Sequence, residues 1–193
     1  MTSWAQDSKP KISNRQFCIE IGVGSSFLLP PNEQYSNSGD GLSINPISLS
    51  YTVKHGLGIS LKWMLGDHSF NSTISRNDGG VLFTDEADFE FGYSIVMVGP
   101  IYTIKISDKS FVDFSIQGGR FHATEKISSN LLKGNFESSS LGYSCSMNYR
   151  KLISSKTYIR GAVYYVSGKN PSIFSNSERI TPLIFNAGVG MIF

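Results

Sequence analysis

Residues able to do chemistry are few and mostly isolated in this 193-residue chain. The tightest constellation is His122-Ala123-Thr124, with Glu125 beside it and Glu137 further on. On a strand, residues two apart share a face, so an imidazole there could take the proton of a nearby hydroxyl while a carboxylate orients the ring. Thr124 would be a hindered nucleophile, and a histidine at a strand end is most simply a polar rim residue. His55 and His68 are remote from it, no two histidines have metal-ligand spacing, and Cys18 and Cys145 make no zinc or cofactor motif. The expectation is no catalytic, metal or cofactor-binding residue.

A second set comprises Glu20, Lys62, Asp113, Arg150 and Arg160, each set within a stretch of apolar and small residues. Buried charges cost several kcal/mol unless paired, so if these five share an interior, the two acids are expected to pair among the three bases. Whether they meet depends on the elements that carry them.

Those elements read as strands throughout. Gln16 to Leu28 alternates Phe17, Ile19, Ile21, Val23, Ser25 and Phe27 against Cys18, Glu20, Gly22, Gly24 and Ser26. The last eleven residues repeat this, with Phe185, Ala187, Val189, Met191 and Phe193 against Ile184, Asn186, Gly188, Gly190 and Ile192. Between them lie strands over about Ser43 to Val53, Leu57 to Phe70, Phe89 to Ile106, Phe111 to Lys126, Leu141 to Arg150 and Thr157 to Ser167. In the fourth, large residues stand at Phe89, Phe91, Tyr93, Ile95 and Met97, then at Tyr102, Ile104 and Ile106. That change of phase beside Gly99-Pro100 predicts a β-bulge, with both sets on the outer face. Short turns at 54–56, 107–110 and 154–156 alternate with long connections at 29–42, 71–88, 127–135 and 168–181. All the short turns and both termini then fall at one end. This predicts an all-β, eight-stranded antiparallel up-and-down transmembrane β-barrel over 15–193, preceded by a tail over 1–14.

Which face is outside follows from composition. If the large residues faced inward, as in a soluble lipocalin-like ligand-binding barrel, Gly22, Gly24, Ser48, Ser50, Ser144, Ser146, Gly188 and Gly190 would make an exterior short of charge. Turned outward, the same residues form a lipid-facing belt, and the five charges become a cluster inside the barrel. An eight-stranded interior is just wide enough for side chains to fill, so the cluster is expected to plug rather than conduct. No transmembrane helix fits, because the most apolar run, Tyr93 to Ile106, is broken by Gly99-Pro100 and Lys105. A net charge of +2 with no basic run excludes nucleic acid as an expected partner.

The pattern resembles the small eight-stranded outer-membrane barrels of the OmpA transmembrane domain and OmpX type. The resemblance implies a bacterial outer-membrane location, lipid and lipopolysaccharide as surroundings, and a monomer. It further implies that the barrel-assembly machinery reads Phe185, Met191 and Phe193 on the closing strand. Small residues at Ser3 and Ala5 fit a cleavage site before Gln6, so 1–14 reads as the remnant of a signal-peptide region, with a plain disordered tail as the alternative, and a barrel of this kind is expected to be exported. The function implied is structural or surface-interacting, presenting four extracellular loops for adhesion or envelope integrity. A narrow porin-like channel is the alternative, and a lipid A-modifying enzyme the further one, since His122-Ala123-Thr124 is similar, loosely, to the His-x-Ser of lipid A deacylase barrels.

Overall fold

The structure, a computed structural model, describes residues 15–29, 40–169 and 179–193. The tail over 1–14 and most of the connections at 29–42 and 168–181 lie outside the described residues.

Eight strands follow one another around a closed barrel: β1 (Gln16–Leu29), β2 (Asp40–Thr52), β3 (Leu57–Asp78), β4 (Val81–Ser107), β5 (Ser110–Ser128), β6 (Lys133–Leu152), β7 (Thr157–Lys169) and β8 (Arg179–Ile192). The seam is antiparallel pairing of β1 with β8. It ends where the Phe193 amide donates to the Phe17 carbonyl at 2.9 Å and the two rings stand 6.2 Å apart. Side chains alternate between wall and lumen. Phe17, Ile21, Val23, Tyr51, Ile59, Leu61, Trp63, Tyr102, Phe114, Tyr149, Phe185, Val189, Met191 and Phe193 are exposed on the outer face, and together they girdle the barrel with apolar surface.

Three expectations are corrected. The connections at 71–88 and 127–135 are mostly strand. β3 and β4 pair without interruption from Leu57↔Tyr102 to Asp78↔Val81, around a two-residue turn at Gly79-Gly80, while β5 and β6 meet around 129–132. Both turn glycines have positive φ, 62° and 90°, which a two-residue hairpin demands and glycine supplies without strain. β3 to β6 therefore continue past Leu42↔Asp67 and Tyr143↔Ser167, where their pairing with β2 and β7 stops among the described residues.

The proline bulge lies at Pro46, not at Gly99-Pro100. Pairing of β2 with β3 steps from Ile44↔Leu65 to Ile47↔Trp63, so the lumen phase passes from Ser43 and Asn45 to Ser48, Ser50 and Thr52. Pro46 has no N–H to give a ladder, which suits it to the bulge. Pro100 instead pairs with Ile59 in unbroken register.

Without a bulge there, β4 keeps one phase, and Phe89, Phe91, Tyr93, Ile95 and Met97 all point into the barrel, buried, rather than outward. The change of phase in the sequence is a change in which face carries the bulk. With Met64, Phe70, Phe121, Ala123, Ile127, Val166, Ile180 and Ile184 they form an apolar core in the half of the lumen nearer the Gly79-Gly80 turn.

Candidate functional site

The half of the lumen nearer the short turns and the C-terminus is polar, and every strand contributes to it. Position 20 on β1 pairs with Ser48 on β2, which pairs with Lys62 on β3, so these side chains occupy one level of the wall. Asp113 on β5 lies opposite Asn148, and Arg150 lies opposite Arg160 across β6 and β7. The structure thus brings all five charges of the sequence-derived cluster into one buried region.

Their pairing is unequal. Arg150 grips Asp113 with two nitrogens, Nε to Oδ2 at 2.6 Å and Nη2 to Oδ1 at 2.7 Å, while Thr103 donates to the same carboxylate at 2.7 Å. The Arg150 guanidinium also lies over the rings of Phe111 and Tyr158 and donates to Cys18 Sγ at 3.3 Å. Arg160 reaches Glu20 at 3.5 Å, and its remaining donors go to Tyr164 at 2.5 Å, Asn45 at 2.7 Å and Asn186 at 3.1 Å. Tyr158 donates to Glu20 at 2.7 Å. Lys62 has no carboxylate within ion-pair distance among the described residues. Its ammonium donates to Ser146 at 2.8 Å and Ser115 at 3.3 Å, and sits 4.6 Å from the centre of the Tyr164 ring. Two carboxylates thus face three cations, leaving one positive charge held by hydroxyls and an aromatic face.

Several partners here were not singled out from sequence. Tyr158 and Tyr164 carry the phase of Arg160 and could have been read with it. Asn45 could not, because the bulge beside it reverses the phase of β2. Two of the small lumen residues are seats for rings: a Cβ at Gly190 would stand 2.3 Å from the Tyr158 ring, and one at Gly66 would stand 2.3 Å from Tyr93. Each is the direct cross-strand partner of its aromatic, a pairing in which the ring covers the backbone that glycine leaves bare.

The other candidate residues stand elsewhere. His122 and Thr124 face outward, in a shallow dent of about 330 Å³ with Asp67, Gly92 and Ser94. Glu137 pairs directly with Thr124 across β5 and β6, whereas Glu125 is buried on the inner side. Among the described residues no hydrogen bond joins His122 to Thr124, Asp67 or Glu137, so the dent holds the residue types of a hydrolytic site without its connections. Cys18 is buried in the lumen and Cys145 is exposed on the outer wall, and both are free. Phe185, Met191 and Phe193 share the outer face of the β8 end of the chain.

No protein-family model and no curated protein matches the chain. Solved structures do. Ail, the attachment invasion locus protein of Yersinia pestis, crystallised with the heparin analogue sucrose octasulfate, is 16% identical with a TM-score of 0.55. That match covers 93% of this chain and 99% of Ail. Neisserial surface protein A is 12% identical with a TM-score of 0.51, the match covering 94% of this chain and 98% of that one. At such identities the likeness establishes the fold, an eight-stranded barrel of the kind these outer-membrane proteins adopt.

Proposed function

We propose that this chain is a bacterial outer-membrane barrel that does not conduct ions, with a structural or surface-interacting role carried by its extracellular end. The observation behind this reading is the inverted distribution of side chains: apolar surface girdles the outside, while a charged layer and an apolar layer lie buried inside. A lipid-facing belt with aromatic residues near both edges suits a bilayer and would be a liability in water. Inside, the charged layer is capped by the apolar layer, which includes Phe89, Phe91, Ile95, Met97 and Phe121, all buried. An ion would have to displace both.

The part offered to the outside is a sheet. From the end of the β2–β3 pairing at Asp67 to the tip at Asp78, β3 runs eleven residues, roughly 35 Å of strand, alongside β4. A four-stranded extension suits contact with another surface better than it suits transport.

Topology tests this reading. A Gly79→Cys variant should react with a membrane-impermeant maleimide on intact cells, whereas Lys109→Cys, in the turn at the opposite end, should react only after the outer membrane is permeabilised. Recovery of the protein in the soluble fraction, or the opposite labelling order, would overturn it.

A further inference from the structure

We infer that the outer wall carries a binding site for the phosphate group of a membrane lipid, formed by Arg120, Lys169 and Arg179 around Leu141. The inference rests on the outer-membrane reading and names a lipid contact within it. Arg120 on β5 is the cross-strand partner of Leu141 on β6, and Lys169 on β7 is the partner of Arg179 on β8. The amide of Lys169 donates to Ser140 Oγ at 3.0 Å, and its carbonyl accepts from Ser138 Oγ at 2.9 Å, which fastens Lys169 against β6 beside Leu141. Three cation-bearing positions on three strands therefore lie around one residue.

The two guanidiniums are positioned rather than loose. Arg120 donates through Nε to Ser139 Oγ at 2.8 Å, on the extracellular side of Leu141. Arg179 lies back across the wall, donating to Ser167 Oγ at 2.9 Å and to the Ser167 carbonyl at 3.1 Å, with its guanidinium 5.0 Å from the centre of the Tyr143 ring. Its Nη2 also reaches the Leu141 carbonyl at 3.5 Å. Each guanidinium keeps donors to spare, and among the described residues none of the three cations has a carboxylate partner. Glu137, the next outward residue on β6 beyond Ser139, forms no ion pair with them among the described residues. By contrast, Lys126 on the same face is neutralised by Glu90 at 3.1 Å.

The apolar half of the site is equally exposed. Leu141 is 83% accessible and Tyr143 is 46% accessible, with Met147 below them on the same outward face of β6. A cationic cluster at the upper edge of an apolar belt matches an amphiphile whose phosphate lies among the guanidiniums and whose acyl chains descend over Leu141 and Tyr143. Arginine suits the first part because it can chelate phosphate oxygens with paired N–H groups. Cations near an anionic lipid surface each contribute about 1 kcal/mol, so three should change retention by roughly a hundredfold.

The test uses the full chain folded in neutral detergent. Native mass spectrometry would count retained lipid A carrying two phosphates, the same lipid dephosphorylated, and phosphatidylcholine. Wild-type protein should retain the phosphorylated lipid at least tenfold better than either other lipid. R120Q/K169Q/R179Q should lose that preference while still migrating as a compact barrel before heating. If the triple variant does not fold, R120K/R179K keeps the charge and should give an intermediate loss. Equal retention by wild type and variant, or displacement of the lipid by millimolar inorganic phosphate alone, would overturn the site. Insertion of wild-type protein into lipid nanodiscs without preference for phosphorylated lipid would sink the site alone. Failure to insert at all would sink the outer-membrane reading with it.

Discussion

Removing the Asp113 charge is the perturbation that separates a packed lumen from a wet one. Asp113 and Arg150 are both buried, joined by two short contacts, and among the described residues Arg150 otherwise interacts with Cys18 Sγ and two ring faces. Asp113→Asn leaves that guanidinium without a counter-charge, a change that typically costs about 3 to 5 kcal/mol. Glu20→Gln should cost less, about 1 to 2 kcal/mol: its contact with Arg160 is longer, and Arg160 keeps Tyr164, Asn45 and Asn186. Lys62→Met should be neutral or stabilising. It removes a buried charge that lacks a carboxylate partner, and Ser115 and Ser146 remain hydrogen-bonded to each other at 2.6 Å. Urea unfolding in lipid vesicles, followed by tryptophan fluorescence, gives the three midpoints. The losses should rank Asp113→Asn, Glu20→Gln, Lys62→Met, and high salt should not compress them, since buried charges are poorly screened. Three equal, small, salt-sensitive shifts would refute the packed lumen.

At the seam, deleting Phe193 should lower the amount of folded barrel in the membrane far more than Ile192→Ser, measured as the heat-modifiable fraction on gels, because Phe193 bonds to Phe17 across β1. Gly190→Val should displace the buried Tyr158 ring and with it the hydrogen bond to Glu20, lowering the unfolding free energy by about 2 kcal/mol, read from the urea midpoint. Outside the belt, the Asp85 carboxylate accepts from the backbone amides of Asn130, at 2.7 Å, and Leu131, at 3.3 Å, and these hold its pKa below the ordinary aspartate range. A depressed folded pKa means this contact is present above the unfolded value and lost as pH falls through the folded one. Side-chain NMR should therefore place the Asp85 midpoint below about 3.9. The turn at 129–132 should loosen only beneath it, and an unshifted midpoint would count against the contact.

The wall was legible because period-two alternation is written in every strand. The outer residues of β1 and β8, from Phe17 to Phe27 and from Phe185 to Phe193, need only be counted. What was not legible was the lumen of the upper half. Phe89 to Met97 on β4 look like lipid-facing residues, and only the register with β3 reveals that they face inward. The seats that Gly66 and Gly190 make for Tyr93 and Tyr158 were not legible either, because nothing in a single strand announces the ring arriving from its neighbour. The extended β3–β4 hairpin was hidden by polar residues such as Asn71, Ser72 and Thr73, which outside a membrane carry no burial signal. Asp78-Gly79-Gly80 was its one local mark. The charged layer was legible in membership but not in pairing: the preference of Arg150 for Asp113 and the hydroxyl-lined seat of Lys62 follow from three-dimensional register.

Ion conductance across a planar bilayer tests the sealed lumen most directly. Protein whose insertion has been verified by brominated-lipid quenching of Trp63, exposed on the outer belt, in a Trp4→Phe background, is held under voltage at high salt. The charged layer beneath its aromatic cap predicts a baseline without discrete steps. Steps of steady, reproducible conductance from inserted protein would contradict it.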